Sequence, residues 1–112
     1  MRIEASEVLW FEQHVLSIAE LAELSGLPRP IMQELLDCGA IAPLEPREAR
    51  GSLNELRFGA VALRTARAAG RLRIDFELDV QALILALSLL DRVADLEQQL
   101  RELRARQPQR VR

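Results

Sequence analysis

A chain of 112 residues, 49% of them apolar, is sized for one domain with at most one appended element. Its formal net charge of −2 is the wrong sign for a protein that holds nucleic acid through its overall field. A single cysteine excludes an internal disulfide, and no apolar run approaches the roughly 20 residues that cross a bilayer, so a soluble, cytoplasmic protein is expected.

In chain order, Val8-Leu9-Trp10-Phe11 is a short apolar run rich in strand formers and reads as a strand. Trp10 is expected in the core, and His14 in solvent near the strand's end. Ser17-Ile18-Ala19-Glu20 is a capping box, in which the Ser hydroxyl and the Glu carboxylate each accept from an otherwise orphaned amide. The short helix it opens buries Ile18, Leu21 and Ala22 and stops at Gly26. Leu27-Pro28-Arg29-Pro30 starts a second helix, since proline suits a first turn whose amides are unused. Ile31, Met32, Leu35, Leu36 and Cys38 form its apolar face, with Cys38 a small buried hydrophobe, and Gly39 ends it.

Two short helices separated by a tight Gly-containing turn have helix-turn-helix geometry. A polar stretch from Pro43 to Glu55, with Gly51 near its tip and Leu56-Arg57-Phe58 closing it, reads as a β-hairpin wing with Phe58 turned onto the core. A third helix is expected from Gly59 to Arg73. Val61, Thr65, Ala68 and Leu72 would face inward, and Arg64, Arg67 and Arg71 would form a basic stripe outside. Ile74 to Leu78 reads as a linker and Asp79 as an N-cap.

The last helix is expected from Val80 to Arg106, about 40 Å long. Val80 to Leu90 is apolar nearly all round and calls for cover on several sides. Starting within it and running on, Ala82, Ala86, Leu89, Val93, Leu96, Leu100 and Leu103 step by alternating fours and threes, which is a heptad seam. Leu89, Val93, Leu96, Leu100 and Leu103 are therefore expected to carry a homodimer, with parallel and antiparallel pairing both open. The organisation expected is a winged helix-turn-helix domain over 1–75, a dimerisation helix over 79–106 and a flexible tail over 107–112. The fold class is mainly α, with a small β-wing and a long coiled-coil helix.

Catalysis is not expected. The five glycines are scattered singly, so none builds a phosphate loop. One His and one Cys fall short of a zinc site, and His14 has no partnered nucleophile. No cofactor or metal is anticipated. The solvent face of the second helix should carry Arg29, Gln33, Glu34 and Asp37, a sum of −1 where a DNA reader would meet phosphate. Arg47, Arg50 and Arg57 in the wing are offset by Glu45, Glu48 and Glu55.

The order of elements, with Ser17-Ile18-Ala19-Glu20, Leu27, Gly39, Gly51 and Arg57-Phe58, resembles the MerR-type winged helix. A closer resemblance covers about residues 15–106 and is to the chaperone-modulator family CbpM. It is carried by Glu45-Pro46-Arg47-Glu48, Phe58, Arg67, Arg71-Leu72-Arg73, Leu78-Asp79, Ala86-Leu87 and Leu89-Leu90-Asp91. That resemblance implies binding to the J-domain of a DnaJ/CbpA-like co-chaperone and inhibition of its work with Hsp70 (DnaK). J-domains offer Hsp70 a basic helix, so a competitor needs acidic groups. Glu45 and Glu48, with Arg47 between them, are the first expected contacts, followed by Asp79, Asp91 and the stripe Arg64, Arg67 and Arg71. The alternative is a dimeric MerR-like transcription regulator that binds DNA. DNA-binding relatives usually place Arg and aromatic residues on the second helix, where Ile31-Met32-Gln33-Glu34-Leu35-Leu36 stands here.

Overall fold

A computed structural model describes residues 15–45, 52 and 55–107. Four helices form among them: α1 (Ile18–Ser25), α2 (Arg29–Asp37), α3 (Ala60–Phe76) and α4 (Val80–Arg106). The expected strand at Val8–Phe11, with Trp10 and His14, lies outside the described residues. So do the wing tip with Arg47, Glu48 and Gly51, and the tail beyond residue 107.

Local chemistry sets the first two helices. Ser17 Oγ accepts from the Glu20 amide at 3.1 Å, and Glu20 Oε1 accepts from the Ser17 amide at 2.9 Å, so the capping box is complete. Gly26 then turns left-handed at φ 76° and returns its amide to the Ala22 carbonyl, which closes α1. α2 ends at Asp37, one residue before Cys38. That single residue overturns the expected burial of Cys38: it caps the helix, is exposed, and aims its thiol at the Leu35 carbonyl. Gly39, left-handed at φ 84°, swings the chain back so that Ala40 and Ile41 also donate to that carbonyl.

No strand forms among the described residues, so the β-wing is not shown as a ladder. Its roots are nevertheless joined. The Leu44 amide donates to the Arg57 carbonyl at 2.8 Å, and Leu16 and Phe58 exchange both backbone bonds at 2.8 Å as an isolated antiparallel bridge. Phe58 is fully buried, as expected. It joins Ile18, Leu21, Met32, Leu35, Ile41, Leu56 and Leu63 in one cluster shared by α1, α2, the wing root and α3.

α3 corrects two expectations. It runs one turn past Arg73 to Phe76 and stops where Glu77 adopts a left-handed backbone, so the linker shrinks to Glu77-Leu78-Asp79. Its buried face is Ala62, Leu63, Ala66, Ala69 and Gly70; of the expected stripe, Leu72 packs partly buried against the core, Thr65 and Ala68 are partly covered, and Val61 is 70% exposed. The reason is the closeness of α1: a methyl group on Gly70 would overlap the Ser25 carbonyl oxygen. Only small side chains fit between backbones that approach so closely.

α4 has the expected bounds. Asp79 caps it, Oδ1 accepting from the Ala82 amide at 2.9 Å. Leu83 and Leu87 are buried, and Leu87 and Ile84 join the main cluster. The all-round cover expected for Val80–Leu90 is not supplied by the described residues: Leu85, Leu89 and Leu90 are exposed. Beyond Leu87 every side chain of α4 is exposed. The radius of gyration is 16.3 Å, against about 13 Å for a compact chain of this length, because α4 projects from the domain.

Candidate functional site

Three surfaces emerge, and none is a cleft for chemistry. Among the described residues no group of three or more His, Cys, Asp or Glu is placed to hold a metal. No polar or charged residue among them is buried. Among the described residues no helix is long and apolar enough to cross a membrane.

The first surface is the solvent face of α2. Arg29, Glu34 and Asp37 are exposed there, and Gln33 is partly so. Gln33 Nε2 donates to Asp37 Oδ1 at 3.0 Å, one helical turn on. The amide that could hydrogen-bond a base edge is thus turned along the helix, toward an acid. The summed charge of Arg29, Glu34 and Asp37 is −1, as expected from the sequence.

The second surface gathers the residues expected to touch a partner. Glu45 is exposed at the start of the wing, while Arg47 and Glu48 fall outside the described residues. Arg64 and Arg71 are exposed on α3 and Arg67 is partly covered. Arg71 Nε lies 3.8 Å from Asp75 Oδ2, an exposed pair one turn apart. Asp79 is exposed but engaged in capping α4. Asp91 stands about 18 Å further along that helix. These residues are therefore spread over the wing root, α3, the α3–α4 corner and the middle of α4.

The third surface is the seam on α4. Leu89, Val93, Leu96, Leu100 and Leu103 are each roughly half exposed. At 3.6 residues per turn they point roughly opposite to Leu83 and Leu87, which hold the helix to its own domain. α4 is thus amphipathic twice over near its start, with one apolar side used within the chain and the other open. Periodicity showed the open set, while the expectation of cover all round Val80–Leu90 did not single out Leu83 and Leu87 as the side the domain takes. What sequence reasoning missed is this division, the small-residue face of α3, and the exposure of Ile74 and Phe76 on the last turn of α3. The run Ala62, Ala66, Ala69 and Gly70 was the available signal for the second.

The family model described as MerR HTH family regulatory protein matches residues 16–105. The match spans all four helices and the wing root. No characterised protein matches the chain significantly.

Proposed function

The chain belongs to the MerR HTH family of regulatory proteins, and we propose that within it this protein is a chaperone modulator. It would bind the J-domain of a DnaJ/CbpA-like co-chaperone and block Hsp70 (DnaK) from the same surface. The observation that carries this reading is the face of α2. The helix that would enter a DNA groove shows Glu34 and Asp37 to solvent, with Gln33 bonded to Asp37. Such a face repels phosphate and attracts a basic helix. The resemblance of Glu45-Pro46-Arg47-Glu48, Leu78-Asp79 and Leu89-Leu90-Asp91 to the chaperone-modulator family points the same way. Charge pairing across such an interface raises association rate and specificity more than raw affinity, and its rim is screened by salt.

The test is a titration of the full chain against the J-domain of the co-chaperone encoded by the same organism. Binding that weakens with added salt is expected, together with loss of J-domain-stimulated Hsp70 ATPase activity. Glu45→Arg with Glu48→Arg should weaken it tenfold or more if the wing forms the contact. Absence of binding by the unaltered chain defeats the proposal. Binding indifferent to the double reversal retains the partner and moves the contact to Asp79, Asp91 and the α3 stripe.

The second reading, a dimeric DNA-binding regulator, is favoured by family membership itself and by Arg64, Arg67 and Arg71 on one side of α3. It requires a nanomolar, sequence-selective footprint at physiological salt.

A further inference from the structure

We propose that Phe76 and Glu77, at the corner between α3 and α4, form the anchor on which a basic helix of the J-domain docks. The Phe76 ring packs on the apolar stems of that helix, and the Glu77 carboxylate pairs with one of its cations. The inference rests on the J-domain reading and adds to it the contact that holds the complex.

Charge pairs govern how fast and how selectively two proteins meet, but a lasting interface also needs a desolvated anchor, most often an aromatic or Arg side chain. The aromatic side chains among the described residues are Phe58 and Phe76. Phe58 is fully buried, whereas Phe76 is 66% exposed. It lies one turn beyond Leu72, which packs partly buried against the core, and so stands at the margin of the domain. The exposed aliphatic side chains of the α4 seam are taken by the homodimer expected there. Phe76 is not on that helix.

Glu77 supplies a second, independent observation. Among the described residues Gly26, Gly39 and Glu77 have a left-handed backbone. Glycine takes that conformation at no steric cost where a helix ends. Glu77, at φ 54° and ψ 41°, takes it with a Cβ that crowds the following carbonyl oxygen, so it costs stability where glycine would not. Nothing in the fold offsets that cost. The Glu77 side chain is exposed, and its carboxylate has no hydrogen-bond or ion-pair partner among the described residues. Strain held by a side chain without an internal role points to an external one.

Charge then fixes the kind of partner. Asp75, Glu77 and Asp79 are all exposed around Phe76. Arg71 lies 3.8 Å from Asp75, and Asp79 caps α4, which leaves Glu77 as the acid of this corner without an internal task. An aromatic ring bordered by acids suits a helix whose Lys or Arg side chains carry apolar stems below charged heads. A cation over the ring face adds its own attraction. The same acids repel phosphate, so the corner favours a basic protein helix over nucleic acid.

The experiment is a calorimetric titration of the full chain against the J-domain, with Phe76→Ala, Glu77→Gln and Glu77→Gly. The unfolding midpoint and the sedimentation of each variant are measured beside it. Phe76→Ala is expected to weaken binding at least tenfold with helix content retained. Glu77→Gln keeps the side chain's size and the left-handed backbone but removes the charge. It should weaken binding severalfold at low salt with the midpoint unchanged, and most of the difference should vanish at high salt. Glu77→Gly should show the same loss of binding with a higher midpoint, because the strain is relieved while the contact is gone. The wing root lies at the other end of α3, about 25 Å away, so these losses should add to any caused by Glu45→Arg with Glu48→Arg. Binding unaffected by Phe76→Ala and Glu77→Gln overturns the anchor and leaves the J-domain reading standing. No binding by the unaltered chain defeats both. Weakened self-association of Phe76→Ala would assign the ring to a second copy of the chain and overturn the proposal as well.

Discussion

Gly70 shows how far a single residue can run against its local preference. Glycine inside a helix costs about 1 kcal/mol relative to alanine, so propensity alone says that Gly70→Ala should stabilise α3. The packing reverses the sign, because the added methyl group would overlap the Ser25 carbonyl oxygen where α1 ends. Backbone cannot swing aside as a side chain can, so α1 and α3 must part. Gly70→Ala is expected to lower stability by about 1–3 kcal/mol in denaturant unfolding; a gain would show that the two helices separate at no cost. The same closeness explains which residues of α3 could not be assigned from pattern. Val61, Thr65, Ala68 and Leu72 form a stripe in which Val and Leu dominate, yet the face that meets α1 is built of Ala62, Ala66, Ala69 and Gly70 around Leu63. Hydrophobic periodicity weighs large side chains, whereas the tight crossing selects small ones. Cys38 failed for a smaller reason, a helix that ends one residue earlier than its apolar face.

Elements were legible where their signals are local. The capping box at Ser17, the left-handed Gly26, the Asp79 cap and the full span of α4 all depend on neighbours within four residues, and all stand as the sequence implies. The end of α3 is not of that kind. Ile74 and Asp75 look like a break, but the helix continues until Glu77 turns left-handed. Of the wing, the described residues show the roots, where Leu44 pairs with Arg57 and Leu16 with Phe58. Asp79 is also an expected partner contact, so its two roles must be separated. Asp79→Ala removes the acceptor for the Ala82 amide and should cost about 1 kcal/mol of stability. Asp79→Asn keeps an acceptor and should cost only a few tenths. Should Asp79→Asn weaken J-domain binding while thermal unfolding stays near that of the unaltered chain, the carboxylate charge acts in the interface. Parallel losses in the two variants' stability and binding would leave it a cap alone.

At the scale of the whole molecule, the helix-turn-helix order and the long terminal helix were legible because several independent signals agreed on them, and the family match spans the same region. A partner surface was not, because the acids at residues 34 and 37, at 45, at 79 and at 91 lie on four different elements and no spacing in the sequence brings them together. The charge distribution nonetheless makes a quantitative statement about nucleic acid. Phosphate contacts lower log K against log salt by about 0.9 each. A dimer of this fold would offer two α2 faces of −1 each, and in each copy Arg71 lies beside Asp75. Among the described residues near the wing root and on α3, Arg57 and Arg64 remain as exposed cations. Few phosphates can then be neutralised, so binding to a mixed-sequence duplex should be weak. Its log–log salt slope should be shallower than about −4 for the dimer. Fluorescence anisotropy with a labelled duplex from low to physiological salt measures both quantities. A steep slope with nanomolar affinity for one sequence would mean that the wing arginines outweigh the acids of α2, and would carry the assignment to the DNA-binding regulator. A shallow slope with no preference among sequences is the expected result, since Glu34 and Asp37 stand where the phosphates would have to come.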